Sequence, residues 1–466
     1  MNLGLKLLSA AACLVVLNLT CGFATSPSQS IAADVIVTAA PAYDPLAALH
    51  GAERFPQGAQ LLLIRNGAAT PLLADFAASA DASISYDARS LLFSGKKNPA
   101  DPWQIYELTL ADRSVRRLTH LASDAIRPLY LPGWRLVYAQ KTADRFQMFS
   151  ARLADTEPLE KVEGSGIQSL FPISFTQGSA IPSDVLADGR ILFESEFPLG
   201  DGRSPELYLV YSDGSGVESY RCDHSSDPRF GGHQLKSGDV VFTHGPRLAR
   251  FTSPLAEEQH VTAPHAEYAG RIAETTSGDL LLSAGNSASD NFSLKLWKPG
   301  SPTLRPFLAQ SGSNLIDPVV VVPHDRPRRH PSALHDWDYA NLLALDARIS
   351  RDGPLTGRPA AVRLESQDAS GRAVTMGTTP VESDGSFFVK TPADRPIRFV
   401  LLDAQGATIR QEHGWFWIRR GEQRYCVGCH AGPEHAPENR VPEVLLHTTT
   451  PIDLTSATPQ PQRGGN

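Results

Sequence analysis

From about residue 55 to 322 one pattern of apolar and polar positions recurs. A polar turn, often carrying Gly, leads into three apolar residues that open a strand. The triplets are Leu91-Leu92-Phe93, Leu136-Val137-Tyr138, Ile191-Leu192-Phe193, Val240-Val241-Phe242 and Leu280-Leu281-Leu282, with Val319 to Val322 as a candidate sixth. Their third residues lie 45, 55, 49 and 40 apart. Each triplet is followed by a more polar alternating stretch, such as Gln104 to Leu110 or Glu206 to Tyr211, and then by a turn and another short strand. An apolar inner strand with progressively wetter outer strands, repeated every 40 to 55 residues, predicts the blades of a β-propeller. Six blades are expected, within a range of five to seven.

Beyond the repeat, residues 323–338 read as a linker rich in Pro, Arg and His. Asn341 to Ile349, Ala361 to Glu365, Ser386 to Thr391 and Ile397 to Asp403 then alternate as strands, with Asp384-Gly385 and Gln405-Gly406 as turns. This predicts a small β-sandwich over 339–410, followed by a segment and tail over 411–466. Side chains two apart on a strand share a face, so His413, Trp415 and Trp417 are expected on one side of the last strand. The expected fold is thus mainly β: a propeller over 55–322, a linker, a sandwich and a C-terminal segment.

The N-terminus adds an address. Residues 1–24 combine a weakly positive start, the apolar run Leu7 to Leu19 and the small-x-small site Gly22-Phe23-Ala24, which predicts a signal peptide and export to the periplasm or beyond. Residues 25–54 read as an N-terminal tether. Cys21 offers a lipid anchor, and with it an outer-membrane lipoprotein, as the alternative to cleavage. The later chain has no apolar stretch of spanning length. Net charge is −7 with no basic block, so nucleic-acid binding is set aside.

Candidate chemistry concentrates in Cys426-Val427-Gly428-Cys429-His430. Two cysteines two residues apart, with His next, is the attachment pattern of a c-type haem. The gap lets both thiols reach the porphyrin vinyl groups, and the following imidazole falls beneath the iron as proximal ligand. A four-cysteine zinc site would want a second Cys pair, and a thioredoxin-type pair a βαβ context. A structural disulfide stays open beside the haem. Cys222 is left over as a buried free thiol. For His224, His233, His244, His260 and His265 in the repeat, a metal cluster is the sharp reading, but their spacings match no ligand motif and solvated or singly hydrogen-bonded loop residues are expected for most.

The propeller pattern, Arg329-His330-Pro331-Ser332, Asp384-Gly385-Ser386-Phe387, Leu401-Leu402-Asp403, Trp415-Phe416-Trp417, Gly421-Glu422 and the Cys-Val-Gly-Cys-His run together resemble the hydrazine synthase alpha-subunit-like proteins. The resemblance implies a TolB-type middle propeller and a C-terminal c-haem domain, with Cys426, Cys429 and His430 at the haem site. It also implies a difference. The hydrazine-forming subunit has two c-type haems, with the chemistry at the one outside its C-terminal domain, whereas this chain has one motif. The motif's position is expected to match the other haem, which speaks against hydrazine synthesis.

Three functions compete. The first is an exported monohaem cytochrome, with one covalent haem c, that passes electrons to a redox partner protein from a propeller platform. The second is a haem oxidoreductase with an open distal site for a small molecule. The third is a propeller binding module with a structural haem. The sixth iron ligand discriminates between them. His413 and His447 each lie 17 residues from His430, far enough to reach the distal face, and His413 is expected ahead of His447 because it shares the strand face of Trp415 and Trp417. His435 sits too close, and Met376 is a further candidate. Trp415 and Trp417 are expected to pack on the porphyrin.

Overall fold

The computed structural model describes residues 31–153, 167–199, 202–221, 226–287, 290–350, 353–428, 436 and 438–456. Among these, eight four-stranded sheets account for almost all regular structure, with one 3-10 turn at Ala47–His50 and one short helix at Glu443–His447. No helix among the described residues is long and apolar enough to cross a membrane.

Six of the sheets follow one another along residues 35–320 in a propeller-like ring. Sheets two to six each use four consecutive antiparallel strands. Their first strands are Ala78–Ile84, Ala125–Leu131, Ala180–Val185, Arg229–Gln234 and Glu267–Glu274, and each packs against the first strand of the next sheet. The first sheet is closed from both ends of the chain: Asn314–Val320 pairs with Val35–Ala40, which pairs with Gln60–Arg65 and then Ala68–Pro71. This closure hydrogen-bonds the last turn of the ring to its first.

Two expectations change here. The apolar triplets lie on the second strand of each sheet, not the innermost, because the second strand is squeezed between neighbouring sheets on both faces; Leu91, Leu92 and Phe93 are wholly buried. The counterpart in the closing sheet is Val35-Ile36-Val37, also wholly buried, so the supposed tether over 25–54 holds a central strand. Val319 and Val320 instead end the innermost strand of that sheet, and Val321 and Val322 lie beyond it.

The innermost strands bulge where they approach the axis. Register shifts fall between Ala80 and Ser83, Ile126 and Leu129, Phe230 and His233, and Ala269 and Ala273. Asp81, Arg127 and Asp317 take left-handed backbone conformations there (φ 59°, 55° and 53°), as do Gly231 and Gly270. The bulges aim charges inward. Arg54, on the loop after Val35–Ala40, donates to Asp81 (2.6 Å) and to Asp317 (2.8 Å). The backbone N–H of Arg271 donates to Asp317 (2.8 Å), Arg127 pairs with Glu194 (3.4 Å), and Glu194 accepts from the N–H of Gly231 (2.7 Å). Every sheet of the ring supplies one member of this buried network.

Two further sheets form the sandwich. One orders Gln423–Cys426, Tyr339–Ala344, Phe387–Pro392 and Ile452–Asp453; the other orders Ala373–Pro380, Ala361–Gln367, Ile397–Leu402 and Thr408–Gln411. Leu342, Val362, Leu364, Phe387, Val389, Phe399 and Leu401 fill the space between them. The sequence placed Asn341 to Ile349 as one strand, but the strand stops at Ala344, and Ala373–Pro380 is added. The boundary at 410 is also corrected. The strand carrying Cys426 pairs in parallel with Tyr339–Ala344, so the attachment segment is an edge of the sandwich itself.

The linker is a strap. The backbone N–H of His324 donates to Tyr86 O, that of Arg328 to Ala187 O, and the His330 ring stacks on Tyr211 at 3.8 Å. Gly189 (φ 91°) lets the strap pass: a Cβ there would stand 2.1 Å from Arg328 O.

Candidate functional site

The strand Gln423–Cys426 presents Arg424 and Cys426 to the interior and Gln423 and Tyr425 to solvent, the alternation its burial pattern records. Cys426 is half-buried with a free thiol. Burial pushes that thiol up, Arg424 beside it pulls the other way, and the carboxylate of Glu412 adds to the rise. Cys426 therefore sits as a neutral thiol within reach of two charged groups.

The flanks of the motif converge. Leu345 donates its N–H to Cys426 O (2.8 Å), and its own carbonyl accepts from Arg440 Nη2 (3.2 Å). Arg440 is also ion-paired to Asp384. The chain thus leaves at Cys426 and is anchored again at Arg440 on the same residue. Gly428 lies against the turn Asp346–Ile349, where an added Cβ would meet Asp346 O, Ile349 Cβ and Ile349 O at 2.9 Å each. Only glycine fits that approach. Cys429, His430 and His435 lie outside the described residues, as do Cys21 with the expected signal peptide and Cys222.

The segment before the motif bolts the sandwich to the ring. Trp417 is 3% exposed, inserted between the third and fourth sheets, with Phe175 and Phe193 at 6.1 and 6.2 Å. Its indole N–H donates to Gly214 O (2.9 Å). Arg419 donates to Asp213 O (2.9 Å), and Glu422 accepts from the N–H groups of Gly216 (3.1 Å) and Arg419 (2.8 Å). Trp417→Ala should therefore loosen the docking by about 3 kcal/mol. Limited proteolysis should then cut in the strap at 323–338 well before it cuts either half, whereas an unchanged digestion pattern would show the contact to be incidental.

This placing corrects two site expectations. Trp417 faces the propeller-like ring and is not free to cover a porphyrin, and Trp415 is half-buried beneath the guanidinium of Arg398, 4.4 Å from its ring centre. The stretch after Gln411 is not a strand: it bends at His413-Gly414 and keeps a single bridge, Ile397 to Phe416. The shared face of His413, Trp415 and Trp417 does not exist. His413 is exposed, next to the Glu412 that senses Cys426. Met376 is buried in the sandwich core, a packing residue.

His447 ends the short helix Glu443–His447. That helix is tied down through its N-terminus: Glu443 N–H donates to Asp384 (2.8 Å) and Val444 N–H to Ser386 Oγ (3.1 Å). His447 Nδ1 lies 3.1 Å from Glu382 Oε1, and this hydrogen bond raises the imidazole above its usual range. Its Nε2 is the nitrogen left for another partner.

The surroundings suit an apolar prosthetic group. Tyr425, one residue before Cys426, is 69% exposed, a large ring left open on the attachment strand itself; Val441, Leu446 and Ile452, later in the chain, are 62, 70 and 42% exposed. The donor set, two thiols and an imidazole at the attachment spacing, fits a c-type haem.

Comparison with known proteins adds likenesses to this geometry. Residues 357–431 match the model of the hydrazine synthase alpha subunit middle domain. The hydrazine synthase of Kuenenia stuttgartiensis shares the fold at a TM-score of 0.74 and 16% identity, covering 89% of this chain and 71% of that one. TolB of Acinetobacter baumannii gives 0.43 and 12%, over 62% of this chain and 67% of its own. No curated protein matches. The resemblance to the hydrazine synthase alpha-like family drawn from the sequence holds, with one correction. The middle-domain match covers most of the sandwich with its attachment strand, not the propeller, so residues 426–430 fall within the middle-domain match where the resemblance had implied a C-terminal domain.

Proposed function

We propose that this chain is an exported c-type cytochrome: one haem c attached at Cys426 and Cys429, with His430 as proximal ligand, carried on a sandwich that is docked to a six-bladed propeller. The observation that carries the reading is the attachment spacing set on a sheet edge whose two flanks are both anchored at Leu345, next to the open ring of Tyr425. A haem c bound there supplies a reversible one-electron couple. The protein's own part is to hold it. Cys426 fixes one thioether to a hydrogen-bonded strand, Gly428 lets the segment lie close on the Asp346–Ile349 turn, and Arg424 and Glu412 set the local charge. A redox partner protein would meet the exposed flank around Tyr425 and Leu446. Export, with or without a lipid on Cys21, belongs to the same reading, because thioether attachment happens outside the bacterial cytoplasm.

Electron transfer asks for a second strong axial ligand, and His447 is favoured over His413. Its Nδ1 is oriented by Glu382, the carboxylate–imidazole pattern that fixes a metal-binding tautomer and leaves Nε2 free. One observation favours the second reading, a haem oxidoreductase with an open distal site. The middle-domain match puts the motif outside the subunit's C-terminal domain, and that is where the family resemblance places small-molecule chemistry.

Absorption and electron paramagnetic resonance spectra of the ferric protein separate the two. The cytochrome reading expects a low-spin haem that turns high-spin, and opens to cyanide, in His447→Ala but not in His413→Ala. A high-spin, cyanide-binding haem in the unaltered chain would overturn electron transfer in favour of the open site.

A further inference from the structure

We infer that His244, Glu258 and His260 form a binding site for a divalent cation of the zinc class on the fifth sheet of the ring, remote in sequence from the attachment motif. Two elements build it. His244 ends the second strand, Val240–His244, and His260 lies on the edge strand Gln259–His260, with Glu258 just before it. One ligand atom from each of the three side chains lies within 4.8 Å of the others. Glu258 Oε1 is 2.6 Å from His244 Nδ1 and 3.9 Å from His260 Nε2. Zinc bonds of about 2.0–2.2 Å place tetrahedral ligands about 3.4 Å apart. To meet that spacing the exposed His260 closes in by about 0.5 Å, and the hydrogen bond between His244 and Glu258 opens by about 0.8 Å as a cation takes the proton's place between them.

Three features point to a cation and away from a plain ion pair. First, the two imidazoles lie parallel, 5.8 Å apart with 9° between their planes, over the same carboxylate oxygen. Second, the other oxygen of Glu258 is 2.8 Å from Arg229 Nη2, and Arg229, 4% exposed, is itself paired to Glu206 at 3.2 Å. Glu206 offsets the guanidinium charge, and Arg229 turns the carboxylate so that Oε1 faces the rings. This is the outer-shell support that metal-binding carboxylates use. Third, burial is graded: the side chains of His244 and Glu258 are 14 and 10% exposed and that of His260 is 60%. The outermost ligand leaves an entry path and room for water in a fourth position. Nothing at the site needs a histidine from the attachment segment.

The test uses the full chain, purified without a histidine tag and stripped of metal. Equilibrium dialysis against Zn²⁺ should show one more zinc per unaltered chain than per His260→Ala or Glu258→Gln chain, or an affinity at least about tenfold weaker in each variant. His260→Ala alters a largely exposed side chain on an edge strand, so its folding is not at stake. Co²⁺ gives a second readout in the Cys426→Ala, Cys429→Ala chain, whose visible range is clear of haem: tetrahedral d–d bands should develop and should vanish when His260→Ala is added. Uptake of no zinc by the unaltered chain, or equal uptake by both variants, would overturn the site.

Discussion

Asp317→Asn should lower the unfolding free energy by about 3–5 kcal/mol, because it leaves buried arginines without their counter-charge. Asp317 is wholly buried on the axis, where burial opposes its charge, but Arg54, Arg127 and Arg271 outweigh that penalty and hold its carboxyl well below the usual range. The sign of the pH dependence follows. A carboxyl whose folded pKa is depressed stabilises the protein above its unfolded value, near pH 4, and that contribution is lost as pH falls towards the folded value. Urea unfolding at neutral pH should show the full deficit, and the gap between Asp317→Asn and the unaltered chain should narrow as pH drops below about 4. Asp144→Asn, at an exposed side chain, should stay within about 0.5 kcal/mol. An Asp317→Asn protein as stable as its parent would mean that the axial network is filler and does not clamp the ring.

The other large effect concerns the motif. Cys426→Ala together with Cys429→Ala should abolish covalent haem when the chain is expressed with a cytochrome c maturation system. Fold should persist. Cys426 is only half-buried, the parallel pairing of its strand is made by backbone groups, and the Trp417 contact with Gly214 is untouched. The disulfide reading makes a different forecast: no colour in the parent, and a loss of stability in the double variant. Colour that survives acid–acetone extraction from the parent but not from the variant separates the two. Full retention of haem by the variant would contradict attachment at these thiols.

What was legible in the sequence follows from what each strand faces. Triplets such as Leu91-Leu92-Phe93 announced themselves because a strand held between two sheets is apolar on both faces. The innermost strands stayed hidden, since they bulge and carry Asp81, Arg127 and Asp317, residues that read as turns in a sequence. Val35-Ile36-Val37 was missed for a topological reason: its sheet is completed by Asn314–Val320, almost the whole repeat away, so no spacing pointed to it. At the site, the attachment motif was plain because its chemistry is local. The supposed face of His413, Trp415 and Trp417 failed because the chain bends at His413-Gly414, and Trp417 turned to the ring. The His447–Glu382 pair spans 65 residues, and Glu258 reaches His244 and Arg229 from an edge strand; such contacts are made by the fold and have no sequence signature.

A covalent haem on the sandwich edge would be carried by the peptide that holds both cysteines. The unaltered full chain, matured in an export-competent host, is digested, and the peptide spanning 426–430 is weighed and its absorption recorded. The peptide should be heavier by one haem and absorb in the visible, with both thiols blocked to alkylation. A peptide of unmodified mass with two alkylatable thiols, or with a Cys426–Cys429 disulfide, would contradict covalent attachment.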